Sequence, residues 1–247
     1  MNLIVDIGNT RTKVAVVERG EVVRSFIFGS AAEVDVEAIV EAFPAIERAI
    51  VASSGEGEAE LAERLQKARI ATLRLDYRTP LPIGNEYLTP QTLGVDRIAA
   101  AVGACYVYGC RSCLIVDFGT AITIDVVEDG IFKGGNISPG ASTRLRALND
   151  YTSRLPLCEP TDEVLSYGRT TREAIEQGVM QGITHEIKGY IDSFLLKNEE
   201  KSIIFTGGEA KYFANRIKNA IFAKCDLVFC GLNTILEYNA STEEDIF

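Results

Sequence analysis

Three short stretches hold the residues whose types and spacing suit phosphate chemistry. The first is Asp6-Ile7-Gly8-Asn9-Thr10-Arg11-Thr12-Lys13. In such a turn glycine lets the backbone approach an anion, while N–H groups and hydroxyls point inward. Arg11 and Lys13 add positive charge, and Asp6, at the end of an apolar run, suits a Mg²⁺ held through water against phosphate. Standing alone, the same residues also make an ordinary polar hairpin, because Asn, Gly and Thr are turn formers. The second stretch, Asp117-Phe118-Gly119-Thr120-Ala121, repeats the pattern. The third, Ile203-Ile204-Phe205-Thr206-Gly207-Gly208-Glu209, reads as a strand running into a Gly-Gly turn and then a helix, leaving flat backbone for a nucleoside. Two phosphate turns in one chain can grip a triphosphate from both sides, and a nucleotide is the expected ligand.

The elements that must position these residues follow from an internal repeat. Sliding the sequence against itself by 111 positions lays Leu3-Ile4-Val5-Asp6-Ile7-Gly8 on Leu114-Ile115-Val116-Asp117-Phe118-Gly119. Each copy continues through small polar residues into a second apolar run, which ends in Arg19-Gly20 or Asp129-Gly130. β-Branched runs bounded by glycine turns favour hairpins, so each copy reads as strand, polar turn, strand, glycine turn, strand. The chain therefore reads as two related α/β domains, 1–109 and 110–247, closely packed because no flexible linker separates them. An apolar helix over 97–108 closes the first. Helices are further expected over 36–43 and 58–68, with strands over 48–52 and 71–75. In the second half the expectation is a long helix over 171–196, a strand over 202–205, a helix over 209–221 and a strand over 226–229. Disorder is expected only over 241–247.

Composition excludes several classes of partner. The 247 residues carry a formal net charge of −10, which repels nucleic acid and anionic membranes alike. The longest apolar run, 98–110, has 13 residues and is too short to span a bilayer. The first residues lack the basic-then-apolar pattern of a signal peptide, so a cytoplasmic protein is expected. Cys105, Cys110, Cys113, Cys158, Cys225 and Cys230 show no framework spacing and are expected as reduced thiols. The lone Cys110-x-x-Cys113 pair lacks the second pair or the histidines of a zinc site. His185, the single histidine, sits in an amphipathic stretch and reads as a helix-surface or packing residue.

Between the two repeats lies Asn85-Glu86-Tyr87-Leu88-Thr89-Pro90-Gln91-Thr92-Leu93-Gly94-Val95-Asp96-Arg97. It resembles the N-x-Y-x-x-P-x-x-L-G-x-D-R segment of type III pantothenate kinases at every fixed position. Asp6-x-Gly8-Asn9-Thr10, the second phosphate turn and Gly134-Gly135-Asn136-Ile137-Ser138-Pro139-Gly140 match the same family, in family order. The order of the loops also resembles the wider actin, sugar kinase and Hsp70 superfamily. That resemblance implies an α/β fold of two duplicated ribonuclease-H-like domains with an ATP cleft between them.

The family resemblance implies a kinase that phosphorylates pantothenate with ATP to give 4′-phosphopantothenate and ADP, the first step of coenzyme A biosynthesis. It implies a homodimer that uses Mg²⁺ and a monovalent cation, K⁺ or NH₄⁺. Carried over residue by residue, it makes Asp96 the base for the pantothenate hydroxyl. Tyr87, Gly94, Val95, Asp96, Arg97 and Thr171 would then contact pantothenate. Asp6, Ile7, Gly8, Asn9, Thr10, Arg11, Thr12, Lys13 and Thr120 would contact ATP, and Asp117 would bind the monovalent cation. One departure is Ile122, where many members of that family have a second threonine.

Simpler roles stand beside these. Asp96 precedes an apolar helix and suits an N-cap. Arg97 is either a solvated arginine at the helix start or, through its planar fork, a carboxylate ligand. Tyr87 serves equally as a packing aromatic. Thr170 and Glu173 have capping-box spacing, which leaves Thr171 to donate outward or to serve structure alone. The two phosphate turns by themselves also suit another kinase of the superfamily, a phosphatase, or a non-catalytic regulator that kept a nucleotide fold.

Overall fold

The computed structural model describes residues 1–196, 202–213, 215–218, 220–223 and 226–244. The apolar run at the start forms β1 (Asn2–Ile7). Its two-residue period sends Leu3, Val5 and Ile7 into one core and Asp6 to the opposite face. β2 (Thr12–Glu18) and β3 (Glu21–Phe28) follow. Arg19 and Gly20 join them with φ of 53° and 83°, the positive pair whose twist matches the flanking strands. Next come α1 (Val36–Ala42), β4 (Arg48–Ser53), α2 (Glu58–Lys67), β5 (Ala71–Arg74), the short β6 (Gly84–Asn85) and α3 (Val95–Val107). The strand order is β3-β2-β1-β4-β5, with β1 antiparallel to β2 and parallel to β4.

The chain then builds β7 (Cys113–Phe118), β8 (Ala121–Glu128), β9 (Ile131–Pro139), α4 (Ala141–Asp150), α5 (Thr171–Leu195), β10 (Ser202–Thr206) and β11 (Ile221–Phe222), and ends in α6 (Leu227–Glu244). This sheet has six strands in the order β6-β9-β8-β7-β10-β11, and the five from β9 to β11 copy the first sheet strand for strand. β7 is antiparallel to β8 and parallel to β10, and β10 is parallel to β11. The second glycine turn repeats the positive pair, at 54° for Asp129 and 77° for Gly130. The sequence repeat is thus a repeat of topology, and each copy has the ribonuclease-H-like pattern.

Two compact units result. One comprises Met1–Gly109, Gly130–Phe132 and α6; the other comprises Cys110–Asp129 and Lys133–Lys224. In the first, one core lies between the sheet and α1 and α2, with Val36, Ile39, Leu61 and Leu65 facing Leu3, Val5 and Val51. α3 and α6 lie against each other, and α6 also packs on β1 and β4. β6 pairs in parallel with Ile131 and Phe132 in the same unit. In the second unit α4 and α5 cover Leu114, Val116, Phe118 and Ile122, and Phe118 stacks on Phe213 with ring centroids 4.5 Å apart.

Several expectations are corrected. The domain expected over 110–247 loses its end to the first unit, because Asn2 Nδ2 donates to Asn233 Oδ1 at 2.8 Å and α6 docks on α3. Residues 226–229 open a helix rather than a strand, since Asp226 Oδ1 accepts the Val228 N–H at 3.1 Å. The helix expected over 209–221 is a 3₁₀ turn at Ala210–Phe213 followed by β11; Ala214 and Asn219 lie outside the described residues. α6 runs into the tail expected to be disordered, as far as Glu244; residues 245–247 and Cys225 also lie outside the described residues. α4 had no counterpart in the expected elements. Among the described residues no helix is long and apolar enough to cross a membrane.

Candidate active site

In the first unit the charged residues of the first phosphate turn gather on the sheet face opposite the α1–α2 core. Asp6 and Lys13 are direct cross-strand partners. Burial pushes the Asp6 carboxyl up to about 6; Lys13 opposes that rise, while Asp226 and Asp96 add to it. Lys13 Nζ donates to Asp226 Oδ2 at 3.0 Å. Asp226 belongs to no motif, and its only sequence signal is that of a carboxylate just before an apolar helical stretch. The turn itself is closed by the Gly8 N–H donating to Arg11 O at 3.0 Å, which leaves Asn9, Thr10 and Arg11 exposed. Behind it, the Ser54 N–H donates to Ile7 O at 2.9 Å, and a Cβ on Gly55 would meet Gly8 O at 2.9 Å.

Two residues assigned to ATP carry their side chains elsewhere. Ile7 belongs to the core. Thr12 shares the face of Val14 and Val16, is 1% exposed, and its buried hydroxyl has no hydrogen-bond partner among the described residues. The alternation of β2 that aims Lys13 at Asp6 sends Thr12 the other way.

Asp96 sits inside the first turn of α3, and Gly94 occupies the N-cap position without a side-chain cap. Asp96 Oδ1 accepts the Arg97 N–H at 2.9 Å, and a Cβ on Gly94 would lie 2.5 Å from that oxygen. Glycine at 94 therefore makes room for the carboxylate. Arg97 is 6% exposed, so it is not a solvated arginine. Its guanidinium lies 5.6 Å from the Tyr87 ring centroid and 5.8 Å from that of Phe132, a cation–π arrangement on two aromatic rings. Tyr87 is thereby the platform for Arg97, and the Tyr87 N–H is held by Asn85 Oδ1 at 3.0 Å.

The second unit holds Asp117, Thr120 and Thr171. The Gly119 N–H donates to Ala121 O at 3.1 Å and closes the second turn, leaving Thr120 exposed. Ile122 is fully buried in the core, so the departure from the family pattern there removes no side chain from the loop face. The capping box at α5 is formed: Thr170 accepts the Glu173 N–H, and the Glu173 carboxylate accepts from the Thr170 N–H. Thr171 is exposed and lines, with Arg144, Leu148 and Ile175, a groove of about 760 Å³ along α4 and α5.

Among the described residues no three His, Cys, Asp or Glu side chains gather so as to hold a metal by themselves. That suits Mg²⁺, which keeps water and substrate phosphate oxygens as most of its ligands and needs only one or two carboxylates. Asp6, a partly buried carboxylate at the end of β1, is of the donor type that such an ion takes.

The duplicated sheets, each with a polar turn after its first strand, give the chain the sugar kinase and actin-like ATPase fold. A Cytophaga hutchinsonii chain with the working description of a sugar kinase has the same fold, with a TM-score of 0.57 over 96% of this chain and 99% of its own at 13% identity. A Campylobacter jejuni chain with the working description of a Baf family transcriptional activator matches with a TM-score of 0.62 over 97% and 99% at 26% identity. By sequence the chain belongs to the type III pantothenate kinase family, whose sequence model matches residues 2–193. A type III pantothenate kinase of Phocaeicola vulgatus is 40% identical over 241 residues, covering 97% of this chain and 99% of the relative.

Proposed function

We propose that this chain transfers the γ-phosphoryl group of ATP to the primary hydroxyl of pantothenate, giving 4′-phosphopantothenate and ADP. The observation that carries the proposal is the family match over residues 2–193, with Asp6 and Lys13 set directly opposite each other across β1 and β2. In the transfer the hydroxyl oxygen forms a bond to the γ-phosphorus as the bond to the β,γ-bridging oxygen breaks, and the hydroxyl proton passes to the Asp96 carboxylate. The transition state is loose, so orientation of the hydroxyl and charge stabilisation contribute more than a strong base would. Lys13 and the exposed turn at Asn9, Thr10 and Arg11 hold phosphate oxygens. Mg²⁺ at Asp6 supplies charge neutralisation when bound. Arg97, held between Tyr87 and Phe132, presents its fork to the pantothenate carboxylate.

Thr120 contacts ATP in the second unit, and Asp117, beside Gly207, holds K⁺ or NH₄⁺. Thr171 contacts pantothenate, in the site of a neighbouring subunit of a cytoplasmic homodimer. A coupled ADP-release assay, with and without pantothenate, in KCl and in NaCl, tests the whole scheme. The expected result is turnover that depends on both pantothenate and K⁺, and its loss in Asp96→Asn with ADP affinity changed less than about twofold. ADP binding without pantothenate-dependent turnover in KCl would overturn it in favour of a regulator or another acceptor. Asp96→Asn retaining most activity would remove Asp96 from the base role.

A further inference from the structure

Three stretches of the second unit touch backbone to backbone. Gly207, at φ +93°, lies so close to the end of β7 that a Cβ would sit 2.3 Å from Asp117 Oδ1 and 2.5 Å from Phe118 O. Gly140, at the start of α4, lies against the second phosphate turn: a Cβ there would sit 2.0 Å from Gly119 O, and its N–H donates to Thr120 O at 2.9 Å. The Thr143 hydroxyl donates to the same oxygen at 2.7 Å. This close approach requires glycine at the N-cap of α4, and glycine has no side chain with which to cap.

The cap is supplied instead from 68 residues further along the chain. Glu209 Oε2 accepts the Ala141 N–H at 3.0 Å, and Oε1 accepts the Ser142 N–H at 3.2 Å and the Ser142 hydroxyl. The Glu209 N–H donates to Phe118 O at 2.9 Å. One residue therefore ties the Gly207-Gly208 turn both to the end of β7 and to the first turn of α4.

We propose that Glu209 is a positioning residue for the nucleotide, locking the second phosphate turn, the start of α4 and the Gly-Gly turn into one rigid body. The proposal rests on assigning those turns to ATP. A negative charge at a helix N-terminus with two backbone N–H groups aimed at it is a favourable pairing, and a charged acceptor is stronger than a neutral one. Glutamine keeps the shape but turns one acceptor into a donor facing a donor. Because misplacement of a binding group by about 1 Å can cost up to 10²-fold, the loss should appear in nucleotide affinity.

The test is calorimetric binding of Mg·ADP to the full chain without acceptor, together with separate KM values for ATP and pantothenate. For Glu209→Gln the expected result is an ADP Kd and an ATP KM each raised about 10-fold, with the pantothenate KM within about twofold of wild type. Leu145→Ala, which removes a buried core side chain of α4 without touching the Glu209 hydrogen bonds, is the control for simple destabilisation; its ADP Kd should move far less at an equal loss of Tm. Should Glu209→Gln fail to fold, Ser142→Ala carries the test, with a Kd raised about threefold, the share expected for one hydrogen bond. Wild-type ADP affinity in Glu209→Gln, or a rise matched by Leu145→Ala, would overturn the positioning role. A wild-type chain that binds no ADP would instead overturn the nucleotide assignment and this proposal with it.

Discussion

An ionised Asp6 is held where burial and two further carboxylates disfavour its charge. Its carboxyl titrates at about 6 in the folded chain against an ordinary 3.8. Between those values the folded chain keeps a proton that the unfolded chain has released, so stability is greatest below the lower value and falls as pH rises through the upper one. The two values make the cost at neutral pH about 3 kcal/mol, at 1.36 kcal/mol per pKa unit. Asp6→Asn should therefore raise the melting temperature of the ligand-free chain at pH 7.5 by several degrees, with the gain vanishing towards pH 4, while phosphoryl transfer is lost. Thermal melts across that range check it, and an equal gain at both ends would contradict the linkage. A residue that weakens the fold in the state in which it works is what a phosphate site that concentrates like charges requires.

At the scale of elements, the α3–α6 crossing depends on two glycines. A Cβ on Gly231 would lie 1.8 Å from Ala99 O and 2.9 Å from Gly103 N, and one on Gly103 would lie 2.3 Å from Leu227 O. These are backbone atoms of a packed helix and cannot turn aside. Gly231→Ala should destabilise the first unit by about 3 kcal/mol or more through overpacking. Gly178→Ala in α5, where among the described residues nothing beyond its own stretch of helix lies within 4 Å of the added carbon, should instead stabilise by about 0.5–1 kcal/mol by helix propensity. Urea denaturation of both variants distinguishes the two effects. The same crossing explains why α6 was not legible in the sequence. Leu227, Val228 and Phe229 form a short apolar run that suits a strand, Gly231 looks like a breaker, and Asn233 looks exposed. Its partner Asn2 lies 231 residues away, beyond any local pattern. α4 was hidden likewise, because its cap comes from Glu209 rather than from its own start. By contrast the strands flanking both phosphate turns, and the capping box of α5, are written in local spacing and were legible. Asp6, Lys13 and Asp96 are singled out by segments that carry the family pattern, whereas Asp226, which binds Lys13, has no such segment.

On the scale of the whole molecule the second unit is almost continuous in sequence and the first is not, since α6 returns to it after the chain has built the other. Ending the chain at residue 223 removes the helix that packs on α3, β1 and β4. The expected outcome is loss of hydrogen-exchange protection at the amides of β1 and β4, with protection kept at β7 and β10. Uniform loss in both sheets would mean that neither unit stands without the other. The return of α6 also sets an order of events during synthesis. The ribosome delivers the first sheet at the outset, but the helix that closes one of its faces begins 118 residues after the end of that unit's opening stretch. At about 5–20 residues per second that is a wait of roughly 6–24 s, with an apolar face of the growing chain uncovered. The unit begun first is thus closed only after the other has been made, and the carboxylate that holds Lys13 arrives with that closure.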